Sequence, residues 1–327
     1  MFNRSVARVL VYAAVGCALA VAPMGPAGAQ SPTTIVVPYA AGGSADVAIR
    51  TIVNAIEETG GPRFIVENRG GGGGIPAAMQ VKDSQPTGNT LLLANYATFV
   101  INPTLMRNFP YVPTTDFRPI TTLFSFPLML AVPSSIAAKS VPELVALART
   151  KPGGLTFGSQ GVGSAGHLLG ELFATGSNAK LVHVPYKGAA QGVIDLVAGR
   201  VDMMFIGILP AKGHLEAGKL RALAVTAKAR LALLPDAPTM AEAGFPNVNT
   251  EFVWFGLAAP AKTPDSVIKN LNEMFAKALT SKAVQDKLGA QGMSLVSSTP
   301  DELVARIKAD TAKFAPLINA SGATTRQ

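Results

Sequence analysis

The sequence predicts an α/β protein of two lobes, each a mostly parallel sheet flanked by helices. Three observations lead there. A unit of strand, glycine turn and helix occurs early, where Ile35-Val-Val37 runs into Gly42-Gly43 and a helix carrying Ile49, Ile52, Val53 and Ile56. It occurs again where Leu155-Thr-Phe-Gly-Ser159 meets Gly161-Val-Gly-Ser-Ala-Gly166 and a helix whose apolar face is Leu168, Leu169, Leu172 and Phe173. Around both, strands alternate with helices, the pattern of a sheet with covering helices. Two further segments, 127–133 and 251–259, are apolar and stand where one series ends and another begins, so they read as crossings between lobes.

The chain opens like an export leader. Arg4 and Arg8 precede an apolar run over 9–22, and Ala27-Gly28-Ala29 supplies an A-x-A cleavage site. The run is short for a membrane span of ~20 residues. Gly16-Cys17 raises a lipoprotein alternative, with a weaker match at Ala14 than the cut after Ala29. The expected division is 1–29 as leader, 30–130 as the first part of lobe 1, 131–252 as lobe 2, and 253–327 as the return to lobe 1. Cys17 is the single cysteine, so residues 30–327 carry no disulfide and no cysteine metal site. Losing two arginines and no acid with the leader lowers the net charge from +8 to +6. The remaining cations are scattered, which argues against nucleic acid and suits a soluble exported protein favouring anions.

In chain order, Ser44 is the expected N-cap of the first helix, and Asp46 sits in its first turn, where a carboxylate favours the helix dipole. Phe64-Ile-Val-Glu-Asn68 is a second strand. The glycines 70–74 lack the Gly-Lys-Ser/Thr of a phosphate loop and read as a hinge or close-packed turn, with Pro76 at a helix start. Thr90-Leu-Leu-Leu-Ala94 is a third strand ending at Asn95-Tyr96, on the same sheet rim as loop 39–44. A helix at 141–149 leads to the central loop. Strand 181–185 ends at Tyr186-Lys187-Gly188, helix 189–199 follows, and strands 201–206 and 220–226 complete the second lobe. The remainder is helical at 265–280, 281–290 and 300–319, the first with Ile268, Leu271, Phe275 and Leu279 on one face.

Both glycine turns present helix N-termini, which attract anions. Gly161-Val-Gly-Ser-Ala-Gly166 is also a literal G-x-G-x-x-G. A dinucleotide site needs an acid at the end of the next strand, and Tyr186-Lys187 stands there, so only an NADP-type variant survives. His167 faces back to its cap or to a ligand. His183 reads as a packed core residue and His214 as a surface one. Three dispersed histidines form no metal pattern. No G-x-S-x-G elbow and no paired acids are present, so no catalytic machinery is visible.

A family resemblance gathers these motifs. Val36-Val-Pro-Tyr-Ala-Ala-Gly-Gly-Ser-Ala-Asp46, Val66-Glu-Asn-Arg69, Asn102-Pro103, Gly161-Val-Gly-Ser164 with His167-Leu168, His183-Val-Pro-Tyr-Lys-Gly188, Gly218-Lys-Leu-Arg-Ala-Leu-Ala-Val225 and Pro235-Asp-Ala-Pro-Thr239 stand in this order. The chain from the leader onward resembles the Bug-type substrate-binding proteins of tripartite tricarboxylate transporters. The resemblance implies a type II periplasmic binding fold with two crossing hinge strands, a periplasmic monomer, no cofactor and no enzymatic activity. It implies a small carboxylate, or a related aromatic acid or amide, held on N–H groups and ordered waters from loops 39–44 and 159–164. The expected ligand-binding residues are Tyr39, Ala41, Gly42, Gly43, Ser44, Asn95, Ser159, Gly161, Gly163, Ser164, His167, Tyr186 and Ile206. The expected partners are the membrane permease subunits of such a transporter, or alternatively a sensor kinase ectodomain. Many members carry an acid where this chain has Ile206-Gly207, so an apolar or aromatic far end of the ligand, or a plain dicarboxylate, is expected rather than an amino acid.

Overall fold

The computed structural model of the protein describes residues 32–106, 108–249 and 253–320, the last four as backbone. The leader, its cleavage site and Cys17 lie outside the described residues, as do Glu251 and Phe252 at the start of the return segment. In chain order the strands are β1 (Thr33–Val37), β2 (Phe64–Asn68), β3 (Thr90–Asn95), β4 (Phe117–Ser125), β5 (Met129–Pro133) and β6 (Leu155–Ser159). They continue as β7 (Leu181–Pro185), β8 (Met203–Ile206), β9 (Leu220–Val225), β10 (Phe255–Pro260) and β11 (Ser294–Leu295). The helices longer than five residues are α1 (Ser44–Glu58), α2 (Ile75–Lys82), α3 (Val141–Thr150) and α4 (Ala165–Ser177). After them come α5 (Ala189–Val197), α6 (Asp265–Leu279), α7 (Lys282–Gly289) and α8 (Pro300–Ala320).

Two sheets result, ordered β11-β4-β10-β3-β1-β2 and β7-β6-β8-β5-β9. Each is mixed rather than mostly parallel. The parallel part of each follows the strand–helix–strand repeats, as β2-β1-β3 and β7-β6-β8. Most of the antiparallel part comes from strands next to the crossings, where β10 runs against β3 and β4 and β5 against β8 and β9, and the short β11 also runs against β4. A strand entering a lobe from the other lobe needs no helical crossover, so nothing obliges it to run parallel. The outward crossing is short. β4 ends in the first sheet at Ser125 and β5 begins in the second at Met129.

Helix α1 buries Ile49, Ile52, Val53 and Ile56 against the first sheet, as their spacing along one face requires. Helix α6 buries Ile268, Leu271, Phe275 and Leu279, and Phe275 meets Phe64 edge-on with ring centroids 5.5 Å apart. Burial of each such side chain stabilises the fold by roughly 1.5–3 kcal/mol. Strand β8 starts later than expected because Asp202 turns aside. Its carboxylate accepts from the Thr156 N–H (2.7 Å) and from Lys151 Nζ (2.8 Å), which ties the strand's entrance to β6. The return segment is anchored by Trp254, fully buried, whose Nε1 donates to Asp310 Oδ2 on α8 at 2.8 Å. Burial there pushes the Asp310 carboxyl above its ordinary range.

Candidate functional site

The first glycine loop is held by Asp46, not by Ser44. Gly43 is the N-cap of α1, and Ser44 is the first helical residue without a side-chain capping bond. Asp46 reaches back instead, accepting from the Gly42 N–H at 3.0 Å. Its other oxygen accepts from Arg50 Nε and from Asn68 Nδ2, both at 2.9 Å, and Asn68 Nδ2 also donates to the Tyr39 carbonyl at 3.2 Å. The Val66-Glu-Asn-Arg69 motif thus serves loop 39–44 through Asn68. Asp46→Ala is expected to cost about 1–3 kcal/mol by orphaning these donors. Urea unfolding checks this, and an unchanged midpoint would mean the network carries no stability.

Freed from capping, Ser44 faces a partly open cavity between the two sheets. Its side chain is nine-tenths buried, and its hydroxyl has no hydrogen-bond partner among the described residues. Gly43, Ala45 and Asp46 line the cavity beside it, so the first turn of α1 is presented there with the unsatisfied N–H groups inherent to a helix start. From the other lobe, Ala189 brings the start of α5 to the same place. A Cβ on Gly42 would stand 3.6 Å from the Ala190 Cβ, so the loop before α1 touches the start of α5.

An aromatic wall comes from the crossings, and Phe126 stands close to Ser44, because a Cβ on Gly207 would meet both. Phe255 stacks on Phe126 with centroids 5.3 Å apart and on Phe124 at 4.9 Å, while Tyr39 and Tyr96 approach it edge-on at 6.3 and 6.2 Å. Leu128 and Val253 complete this side. Among the described residues no lysine, arginine or histidine lines the cavity, and the acid that does, Asp46, is engaged as above. Tyr39 and Tyr96 hydrogen-bond through their hydroxyls, and burial raises both phenols well above their ordinary range, so both stay neutral.

Close backbone contacts draw the lobes together. The Ala40 N–H donates to the Lys187 carbonyl at 3.1 Å, and the Ala165 N–H donates to the Tyr96 hydroxyl at 2.7 Å. Glycines fill the seam. A Cβ on Gly70 would lie 2.5 Å from the Lys187 carbonyl oxygen, and one on Gly207 would lie 2.5 Å from Ser44 Oγ. Gly73, at φ +64°, faces the Val162 carbonyl. The 70–74 run is therefore a close-packed seam, held on its own side by Asn102 Nδ2, which donates to the Gly73 carbonyl at 2.6 Å.

The second glycine loop is built differently from the first. Its N–H groups are used within the chain: Gly161 to Ser159 Oγ, Gly163 to His167 Nδ1, Ser164 to the Gly161 carbonyl. Ala165 goes to Tyr96, Gly166 to Gln160 Oε1, and His167 to Ser164 Oγ. None of these donors is left for a pyrophosphate, which removes the basis of the dinucleotide reading. His167 is buried, and because its Nδ1 accepts from Gly163, the neutral ring carries its proton on Nε2. It stacks on His183 with centroids 4.0 Å apart, and His183 Nε2 is 2.6 Å from Ser159 Oγ. Burial lowers the His167 pKa to about 4, and burial with the neighbouring His167 lowers that of His183 to about 3.

Of the expected ligand residues, Tyr39, Gly43 and Ser44 line the main cavity. Ser164 lines a smaller cleft that shares Tyr39 and Gln160 with it. Ala41 and Gly42 are exposed beside the loop. Ser159, Gly161, Gly163 and His167 form the internal scaffold just described. Asn95 is fully buried and caps the turn after β3, its Oδ1 accepting from the Ala97 and Thr98 N–H groups. Tyr186 donates to Asp195 Oδ2 at 2.9 Å, and burial pushes its phenol to about 12. Ile206 points into the small core of the second lobe with Met129 and Val193, so Gly207, the next residue, is the one at the cavity. The contributions of Phe126, Leu128, Val253 and Phe255 escaped sequence reading, although both crossings were legible, because a crossing also carries side chains such as Trp254 that turn into a lobe.

The family described as TctC, tripartite tricarboxylate transporter family receptor, matches residues 48–323. The protein BugT of Bordetella pertussis is 34% identical over 296 residues, covering 89% of this chain and 90% of that protein. Among solved structures, the periplasmic binding protein BugD superposes with a TM-score of 0.85 at 30% identity, covering 90% of this chain and 99% of that one. The R. palustris protein Rpa4515 with adipate gives 0.84 at 34% identity, covering 89% and 97%. These likenesses and the two mixed, helix-flanked sheets give the two-lobed architecture of periplasmic solute-binding proteins.

Proposed function

The chain belongs to the tripartite tricarboxylate transporter receptor family, and from that premise we propose that it is a periplasmic receptor for a small carboxylate. It clamps the ligand between its lobes and delivers it to the permease subunits of a tripartite tricarboxylate-type transporter. Its family is one of solute-binding receptors, which is not an enzyme class. The observation that carries the reading is the interlobe cavity, where the start of α1 and the unpartnered Ser44 hydroxyl face inward. A carboxylate placed there receives charge-assisted hydrogen bonds and the positive end of the helix dipole. Lobe closure removes water around it, which strengthens each of those bonds. The Rpa4515 structure, with its adipate, supports a carboxylate as the ligand class.

Within this reading the two glycine loops divide the work. Loop 39–44 meets the ligand, with Ala189 opposite, whereas loop 159–164 locks the lobes in register through Ala165 and Tyr96. A thermal-unfolding screen of the purified protein against mono-, di- and tricarboxylates, aromatic acids and their amides tests the proposal. A ligand at ~100 times its dissociation constant adds about 2.7 kcal/mol of stability. A selective rise with an acid, absent with its amide, is the expected result. No rise with any carboxylate at millimolar concentration would sink the proposal.

A further inference from the structure

We infer that Gln160 sets how long a ligand the site accepts, by walling the main cavity off from the smaller cleft beside it. This rests on the carboxylate-receptor reading above and names a residue that selects among its ligands. The space between the lobes is divided in two. Ser44, Phe126, Leu128 and Gly207 belong to the main cavity, and Gly71, Gly73, Gly74, Ala97 and Val162 to the smaller cleft. Tyr39 from the first lobe and Gln160 from the second line both, so these two side chains are the partition between them.

Both halves of the partition are fixed. Tyr39 stands edge-on to Phe255 with centroids 6.3 Å apart, and its hydroxyl bonds to that of Tyr96. The Gln160 amide is held at both ends. Its Oε1 accepts from the Gly166 N–H at 3.2 Å, and its Nε2 donates to the Phe205 carbonyl at 2.7 Å. A Cβ on Gly166 would stand 2.6 Å from Gln160 Oε1 and 2.8 Å from the Phe205 carbonyl oxygen, so that glycine makes the room in which the amide is locked between α4 and the end of β8. A side chain tied in this way cannot swing aside for a longer ligand without leaving the Gly166 N–H and the Phe205 carbonyl unpaired. Truncation at residue 160 removes the Cγ and the amide, leaves the loop backbone in place and joins the cleft to the cavity. Water entering the opened space can bond to the two freed groups. A ligand tail that passes residue 160 then meets glycines, Ala97 and Val162, apolar surface that rewards added methylenes.

Isothermal titration of the native protein, Gln160→Ala and Gln160→Met tests the inference. The probes are three graded series: straight-chain monoacids from butyrate to decanoate, α,ω-diacids from succinate to sebacate, and phenylalkanoates from benzoate to 5-phenylpentanoate. The native protein is expected to show a length optimum in at least one series, with affinity falling for longer members. In Gln160→Ala that optimum moves longer by two methylenes or more. Members just beyond the native optimum gain about 15-fold, because each buried methylene is worth about fourfold. Gln160→Met fills the same space without the hydrogen bonds and keeps the native optimum. Gln160→Ser makes the same opening as alanine and gives the reading should the alanine protein not fold. An unchanged optimum in the truncated proteins, or an equal shift in Gln160→Met, would overturn the inference and leave the carboxylate receptor intact. No binding in any series by native or truncated protein would overturn it too, and silence across the wider carboxylate screen would remove the receptor reading as well.

Discussion

Replacing Gly188 with valine is expected to weaken ligand binding by about 5- to 150-fold while leaving the stability of the ligand-free protein nearly unchanged. Gly188 lies in the second lobe at the start of α5, with a φ of 170°, extended backbone that any residue adopts. The nearest atoms to a Cβ there belong to Ala40 of the first lobe, 3.0 Å away at both its Cβ and its nitrogen. That nitrogen makes the interlobe hydrogen bond to the Lys187 carbonyl. The added methyl groups therefore crowd the seam when the lobes are together and meet open space when they part. Overpacking of this kind costs roughly 1–3 kcal/mol, and every 1.4 kcal/mol is tenfold in affinity. The penalty falls on the closed state alone, so it lowers the fraction competent to hold ligand and raises the apparent dissociation constant. Gly213→Ala is the control, because nothing stands within 4 Å of a Cβ there. Titration and ligand-free melting of the three proteins decide the matter. Full affinity in Gly188→Val would mean that ligand binding does not require this seam.

The fold was largely legible because alternating strands and helices leave a periodic apolar signal. Ile49, Ile52, Val53 and Ile56 announce α1 and its buried face without help from the rest of the chain. Sheet direction was less legible. The antiparallel pairing of β10 with β3 and β4 depends on residues far apart in sequence, and no local periodicity encodes it. At the site, the two glycine loops look alike as strings, yet one is open to the cavity and the other has consumed its own donors. What separates them is side-chain reach. Asp46 pins the first loop from within its helix and leaves Ser44 free, whereas Ser159, Gln160 and His167 turn inward on the second. Ile206 shows the same limit. Position in a motif identifies it, but strand pleat turns it into the core and leaves Gly207 at the cavity.

Acidification from pH 7 to pH 5 is expected to destabilise the protein through the stacked histidines, by on the order of 2 kcal/mol from His167 alone. His167 has a folded pKa of about 4 against an ordinary 6.5, and His183 about 3. The folded-state values are depressed, so the unfolded chain takes up protons first as pH falls. Stability is therefore full above about pH 6.5 and declines as pH drops toward 4, where the folded protein begins to protonate as well. Glu171, with its Oε1 3.7 Å from His167 Nε2, acts in the opposite sense. Burial raises its pKa, so the folded state gains a proton early and offsets part of the loss. Asp310, likewise raised by burial, adds to that offset. Protonation of His167 also changes the loop itself, since Nδ1 would become a donor facing the Gly163 N–H that it now accepts from. The test is the melting temperature from pH 7 to 4.5 in the native protein and in His167→Asn, whose amide oxygen can keep the acceptor role without titrating. A shallower pH dependence in the variant is expected. Parallel curves would show that acid acts elsewhere and that the stacked pair, although buried, does not couple protons to folding.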